Sequence, residues 1–136
     1  MKQLEITQRR EGSVIVLDLK GNIRLGEGNV EFHKALRILV EEGEKRILLN
    51  LAEITYIDSS GLGELVAGYT TLQKNNGELK ILHLTQRVRE LMVITKLLTV
   101  FDVYDNEPDA LAGFSEVSEE FEPEVVTGKL SKAVLG

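Results

Sequence analysis

The sequence predicts a single α/β domain: a mixed sheet of four or five strands, with an N-terminal hairpin and about four helices. Three observations carry that prediction. Alternating apolar residues near the start are broken by a glycine turn, as in a hairpin. The apolar period then switches repeatedly between 2 and 3.6, so strands alternate with helices. The later connections are too long for hairpins, which implies parallel strands joined by right-handed helical crossovers.

Leu4 and Ile6 alternate with polar neighbours up to Arg9-Arg10, Glu11-Gly12 turns the chain, and Ser13 to Leu19 returns as the second strand. Gly21 to Gly28 is rich in glycine and reads as a flexible strand-to-helix turn, with some capacity to cradle an anion. Phe32, Ala35, Leu36 and Leu39 then recur at helical spacing up to Glu41-Glu42-Gly43. Ile47 to Leu49 is a short continuous apolar run, as in a central strand covered on both faces, and it continues through Ala52-Glu53 into Ile54 to Ile57. Leu62, Leu65, Val66 and Tyr69 form the next helical stripe, which Asn75-Asn76-Gly77 ends. Leu79 to Leu84 reads as a further strand, and Val88, Leu91, Met92 and Thr95 as a third helix. Val100 to Tyr104 is a brief apolar stretch, and Pro108 opens a last helix holding Leu111 and Phe114. Residues 1–114 form the expected domain. Residues 115–136 form an acidic tail with five glutamates against two lysines, expected to be flexible.

A length of 136 residues is enough to bury a real core without staples, and 43% of the residues are hydrophobic. The absence of cysteine excludes disulfides, thiolate metal sites and a cysteine nucleophile. A net charge of −6 argues against broad nucleic-acid binding, which needs clustered Lys and Arg. No apolar run approaches the ~20 residues of a membrane helix, and the start lacks a signal-peptide apolar region. A cytosolic protein with no membrane association is expected.

The most informative stretch is Ile57-Asp58-Ser59-Ser60-Gly61-Leu62-Gly63, where a buried strand hands over to a helix. Sites of open α/β sheets gather at such places. Asp58 or Ser59 can cap the helix, and Gly61 and Gly63 let other surfaces approach the backbone; a well-capped helix with no further role is the simpler reading of the same residues. A dinucleotide fingerprint fails because Val66 stands where its third glycine belongs, and no phosphate loop of the G-x-x-x-x-G-K-[ST] kind exists. A hydrolase elbow around Ser59 fails at Ile57, and no acid lies suitably between Ser59 and His83. His33 and His83 have no metal-ligand spacing, so neither a metal nor any other cofactor is expected. His83 reads as a half-buried hydrogen-bonding residue. Arg87 and Arg89 read as a solvated face at least as readily as a contact site.

The run Tyr56-Ile57-Asp58-Ser59-Ser60-Gly61-Leu62-Gly63, the helix to Gln73 and the following Gly77-Glu78-Leu79 closely resemble the STAS-domain family of bacterial anti-anti-sigma factors. The hairpin and the Leu91…Leu97…Phe101…Ala110-Leu111 pattern extend the resemblance over roughly Leu4 to Phe114. It implies a STAS-like fold and a non-enzymatic binding module. The implied partner is a cytosolic anti-sigma factor, itself a serine kinase of the GHKL type. It also implies that Ser59 is the phosphorylated serine, Ser60 its unmodified neighbour, and Asp58 a cap and kinase-recognition element. Gly61, Leu62 and Gly63 would form the contact face, with Asn22 and Arg24 as neighbours. The chain departs from the family at Arg24, where G-x-[LI]-D is usual after the second strand. A scaffold subunit of a sensory or transport complex, binding a non-kinase partner through the same face, is the alternative that the resemblance leaves open.

Overall fold

The computed structural model describes residues 3–115, so the expectation for the acidic tail lies outside the described residues beyond Ser115. Five strands, β1 (Leu4–Glu11), β2 (Val14–Ile23), β3 (Arg46–Ile57), β4 (Glu78–Leu82) and β5 (Val103–Tyr104), lie side by side in sequence order. β1 pairs antiparallel with β2 through the turn at Gly12, whose φ of 64° suits glycine. All later pairs are parallel. The crossovers are α1 (Glu27–Glu41), α2 (Ser59–Lys74) and α3 (Gln86–Ile94), and α4 (Glu107–Ala112) follows the sheet. The expected mixed sheet of four or five strands with about four helices thus has five strands and four helices among the described residues.

The helices divide between the two faces of the sheet. Phe32, Leu36 and Leu39 of α1, Leu62, Leu65 and Leu72 of α2, and Val88 and Met92 of α3 pack on Ile15, Leu17, Leu19, Ile47, Leu49 and Leu51. On the opposite face Ala110 and Phe114 cover Val14, Val16, Leu48 and Leu82. Consecutive strand residues therefore serve opposite cores, and that is why β2 and β3 read as continuous apolar runs.

The short α4 is held down by charge as well as by packing. Arg9 makes paired bonds to Asp18 (2.7 and 3.2 Å) and to Glu107 (2.8 and 2.7 Å), and Asn50 donates to Asp18 at 2.8 Å. Such fork-to-carboxylate pairs are geometrically specific as well as charge-assisted. Lys80 is buried beneath α4 with its ammonium 2.6 Å from Asp102 and 5.5 and 6.0 Å from the rings of Phe114 and Tyr104.

The largest departure from expectation lies at the glycine-rich turn. Gly21 to Ile23 belongs to β2 and Gly28 to α1, leaving only residues 24–26 as the connection. Asn22 pairs with Tyr56 and Ile23 with Ile57, while the Asn22 amide donates to Gln3 O at 2.8 Å. These tertiary pairings override the low strand preference of Gly and Asn. β4 is shorter than expected because His83 turns away at φ 59°, and only Val103 and Tyr104 of the expected Val100–Tyr104 stretch join the sheet.

Because β2, β3 and β4 are parallel, their C-terminal ends share one edge, where α1, α2 and α3 all begin. β3 runs past β4, whose last partner is Leu82 against Asn50. Along its upper half β3 therefore faces α3, whose capping residue Thr85 donates to Ile54 O at 3.3 Å.

Candidate functional site

Asp58 is the N-cap of α2 and organises this edge. One carboxylate oxygen accepts from the Gly61 amide at 2.9 Å and the other from the Leu25 amide at 3.0 Å. It therefore satisfies an orphan donor of the helix and ties the β2–α1 turn to the β3–α2 junction. These bonds, the one from Leu25 foremost, hold the Asp58 carboxyl below its ordinary range, so it stays ionised at neutral pH. Its capping role is as expected, and the tie to Leu25 was not legible in the sequence.

Ser59 occupies the first position of α2 and is exposed, whereas Ser60 is partly buried. The expected contact face divides into two roles. Gly61 and Leu62 turn inward: Leu62 joins the main core, and a Cβ on Gly61 would run into the Ile23 carbonyl oxygen. They are supports and not surface. Gly63 is exposed with open space around it. Asn22 is partly buried, its Oδ1 lying 3.0 Å from the Thr55 hydroxyl. Arg24 is exposed, with its guanidinium 5.8 Å from the centre of the Tyr56 ring, a cation–π contact.

A cleft of about 430 Å³ opens beside Ser59. Tyr56, Ile57, Asp58 and Ser59 form one wall, and Arg87, Val88, Glu90, Leu91 and Ile94 of α3 the other. Sequence reasoning left Arg87 open between a solvated face and a contact site and could not set α3 beside Ser59, because nothing in local spacing brings residue 87 to residue 59. The signal available was Ile94, an aliphatic side chain off the Val88–Leu91–Met92–Thr95 stripe. It is 76% exposed, and Val93 beside it is 55% exposed. Neither His33 nor His83 lines this cleft: His33 pairs with Glu64 across α1 and α2 at 3.0 Å, and the His83 amide donates to Tyr104 O at 2.8 Å.

An exposed hydroxyl at the first position of a capped helix thus lies on the rim of a cleft between the β3–α2 junction and α3. The chain belongs to the STAS domain family, whose profile matches residues 5–110. Within that family it is similar to the anti-sigma F factor antagonist of Paenibacillus polymyxa, 26% identical over 120 residues that cover 85% of this chain and 98% of that protein. It is 34% identical over 73 residues to the anti-sigma-B factor antagonist of Staphylococcus aureus, covering 54% of this chain and 68% of that one. The crystal structure of an anti-sigma factor antagonist from Mycobacterium paratuberculosis shares the fold at a TM-score of 0.73 and 22% identity, covering 82% of this chain and 93% of that one. The phosphorylated form of the Bacillus cell fate determinant SpoIIAA does so at 0.64 and 16%, covering 79% and 97%. Among the described residues no helix is long and apolar enough to cross a membrane.

Proposed function

We propose that this STAS domain is an anti-sigma factor antagonist: it binds a cytosolic anti-sigma factor through the Ser59 edge and is switched off when that serine is phosphorylated. The observation that carries the reading is the placement of Ser59, exposed at the first position of α2 on the rim of the cleft. The names of the relatives and the phosphorylated state of SpoIIAA support it. In the reaction, Ser59 Oγ would take the terminal phosphoryl group of a nucleoside triphosphate, lose its proton and release the diphosphate; the anti-sigma factor, a GHKL-type serine kinase, would supply the catalysis. The STAS domain itself acts as a binding module and not as an enzyme.

The physics favours a switch at this position. A phosphate adds ~1.5 to 2 negative charges at neutral pH. Placed against a partner it must be desolvated or set near like charge, and a penalty of about 3 kcal/mol weakens binding by more than a hundredfold. Incubation of the chain with candidate kinases and ATP, followed by intact-mass measurement, tests the reading. It requires gain of one phosphoryl group by the wild type and none by Ser59→Ala. The departure at Arg24 favours one other reading, a scaffold subunit. Partner binding through this edge with no phosphate gained from any candidate kinase would establish that role instead.

A further inference from the structure

Two arginines near Ser59 have no carboxylate partner. Other arginines of the fold have one: Arg9, Arg10, Arg37 and Arg89 each lie within 4.0 Å of an Asp or Glu oxygen. Arg87 is exposed, lines the same cleft as Ser59, and its guanidinium makes no ion pair or hydrogen bond among the described residues. The Arg24 guanidinium lies over the Tyr56 ring, and Tyr56 itself lines that cleft. The acids nearby make no ion pair with them among the described residues. Asp58 spends both oxygens on backbone amides, and Glu90 accepts from Gln86 at 2.9 Å.

We propose that Arg87, with Arg24 as a lesser contributor, binds the phosphate carried on Ser59 of its own chain through hydrogen bonds, the Ser59 ester bond staying intact. The inference rests on the reading of Ser59 as the modified residue and adds a regulatory step to it. A phosphate opposite an unpaired guanidinium forms charge-assisted hydrogen bonds that an exposed serine cannot. Arginine suits the task because its planar fork matches the phosphate oxygens two at a time. Held by Arg87, the dianion lies across the cleft between the β3–α2 junction and α3. Phosphorylation then obstructs the cleft as well as charging its rim, and Arg87 is a positioning residue for the off state.

The test needs neither kinase nor partner. Phosphoserine is installed at position 59 during translation of the full chain, and its 31P resonance is titrated in the wild type and in Arg87→Ala, Arg87→Lys and Arg24→Ala backgrounds. The second phosphate ionisation, ordinarily near pH 6, is expected to fall by about half a unit or more in the wild type, because a cation favours the dianion. Arg87→Ala returns it to the ordinary value, Arg87→Lys keeps part of the shift, and Arg24→Ala loses less than Arg87→Ala. Equal titration of the wild type and Arg87→Ala overturns the proposal. Equal melting temperatures of the unphosphorylated forms exclude a merely structural effect. A chain that no kinase phosphorylates would sink the proposed function and leave this result standing, so the two failures are separable.

Discussion

Gly61 and Ser59 stand two residues apart on α2 and answer to different constraints. At position 61 any side chain meets the Ile23 carbonyl, a backbone atom that cannot swing aside. Gly61→Ala is therefore expected to destabilise the fold by about 2–3 kcal/mol, at the upper end for overpacking, as read by urea denaturation. Gly63→Ala meets open space, gains helix propensity and should leave stability equal or slightly raised in the same experiment. Asp58→Ala removes two amide partners at once and should lower stability by about 1–2 kcal/mol, with protection of the Leu25 amide lost in hydrogen exchange. At position 59 nothing structural depends on the hydroxyl. Ser59→Ala and Ser59→Asp should both melt within a few degrees of the wild type, and any difference between them belongs to binding. Sequence reasoning reached Asp58 as a cap and, through the family resemblance, singled out Ser59. It could not separate Gly61 from Gly63, because the carbonyl that distinguishes them comes from residue 23.

Among the elements, α4 is the one that charge holds in place. Its N-terminal Glu107 and the strand residue Asp18 both bond to Arg9, and that bonding depresses both carboxyls from their ordinary range. The stability they confer is intact above their unfolded values near pH 4 and is lost as pH falls through the lower folded values. Thermal melts of the wild type should thus weaken below about pH 4. Glu107→Gln should be less stable than the wild type at pH 7, with a smaller loss on acidification. An unchanged pH profile in that variant would remove the clamp from the account. The same scale shows where sequence patterns end. The hairpin and the close of α2 were legible because turn glycine and Asn-Gly act locally. The strand character of Gly21 to Ile23 was not, since Gln3, Tyr56 and Ile57 impose it from a distance.

For the molecule as a whole, the parallel order of β2, β3 and β4 gathers three helix starts on one edge, where Ile23, Ile57 and Leu62 belong to the main core and Ser59 stays exposed. A modification of that exposed hydroxyl is expected to change the surface and leave the packing beneath it in place. Phosphorylation at Ser59 is expected to shift amide resonances of residues 22–25, 56–63 and 84–94, and to leave α4 and the hairpin unmoved. The alternation of periods made this architecture readable, but the cleft arises only once α3 lies beside the overhanging end of β3. The most direct test of the switch is the affinity of the cognate anti-sigma factor for the chain carrying phosphoserine at position 59 and for Ser59→Ala, measured by calorimetry at one ionic strength. The account predicts a loss of more than a hundredfold for the phosphorylated chain, corresponding to about 3 kcal/mol. Equal affinities would contradict it.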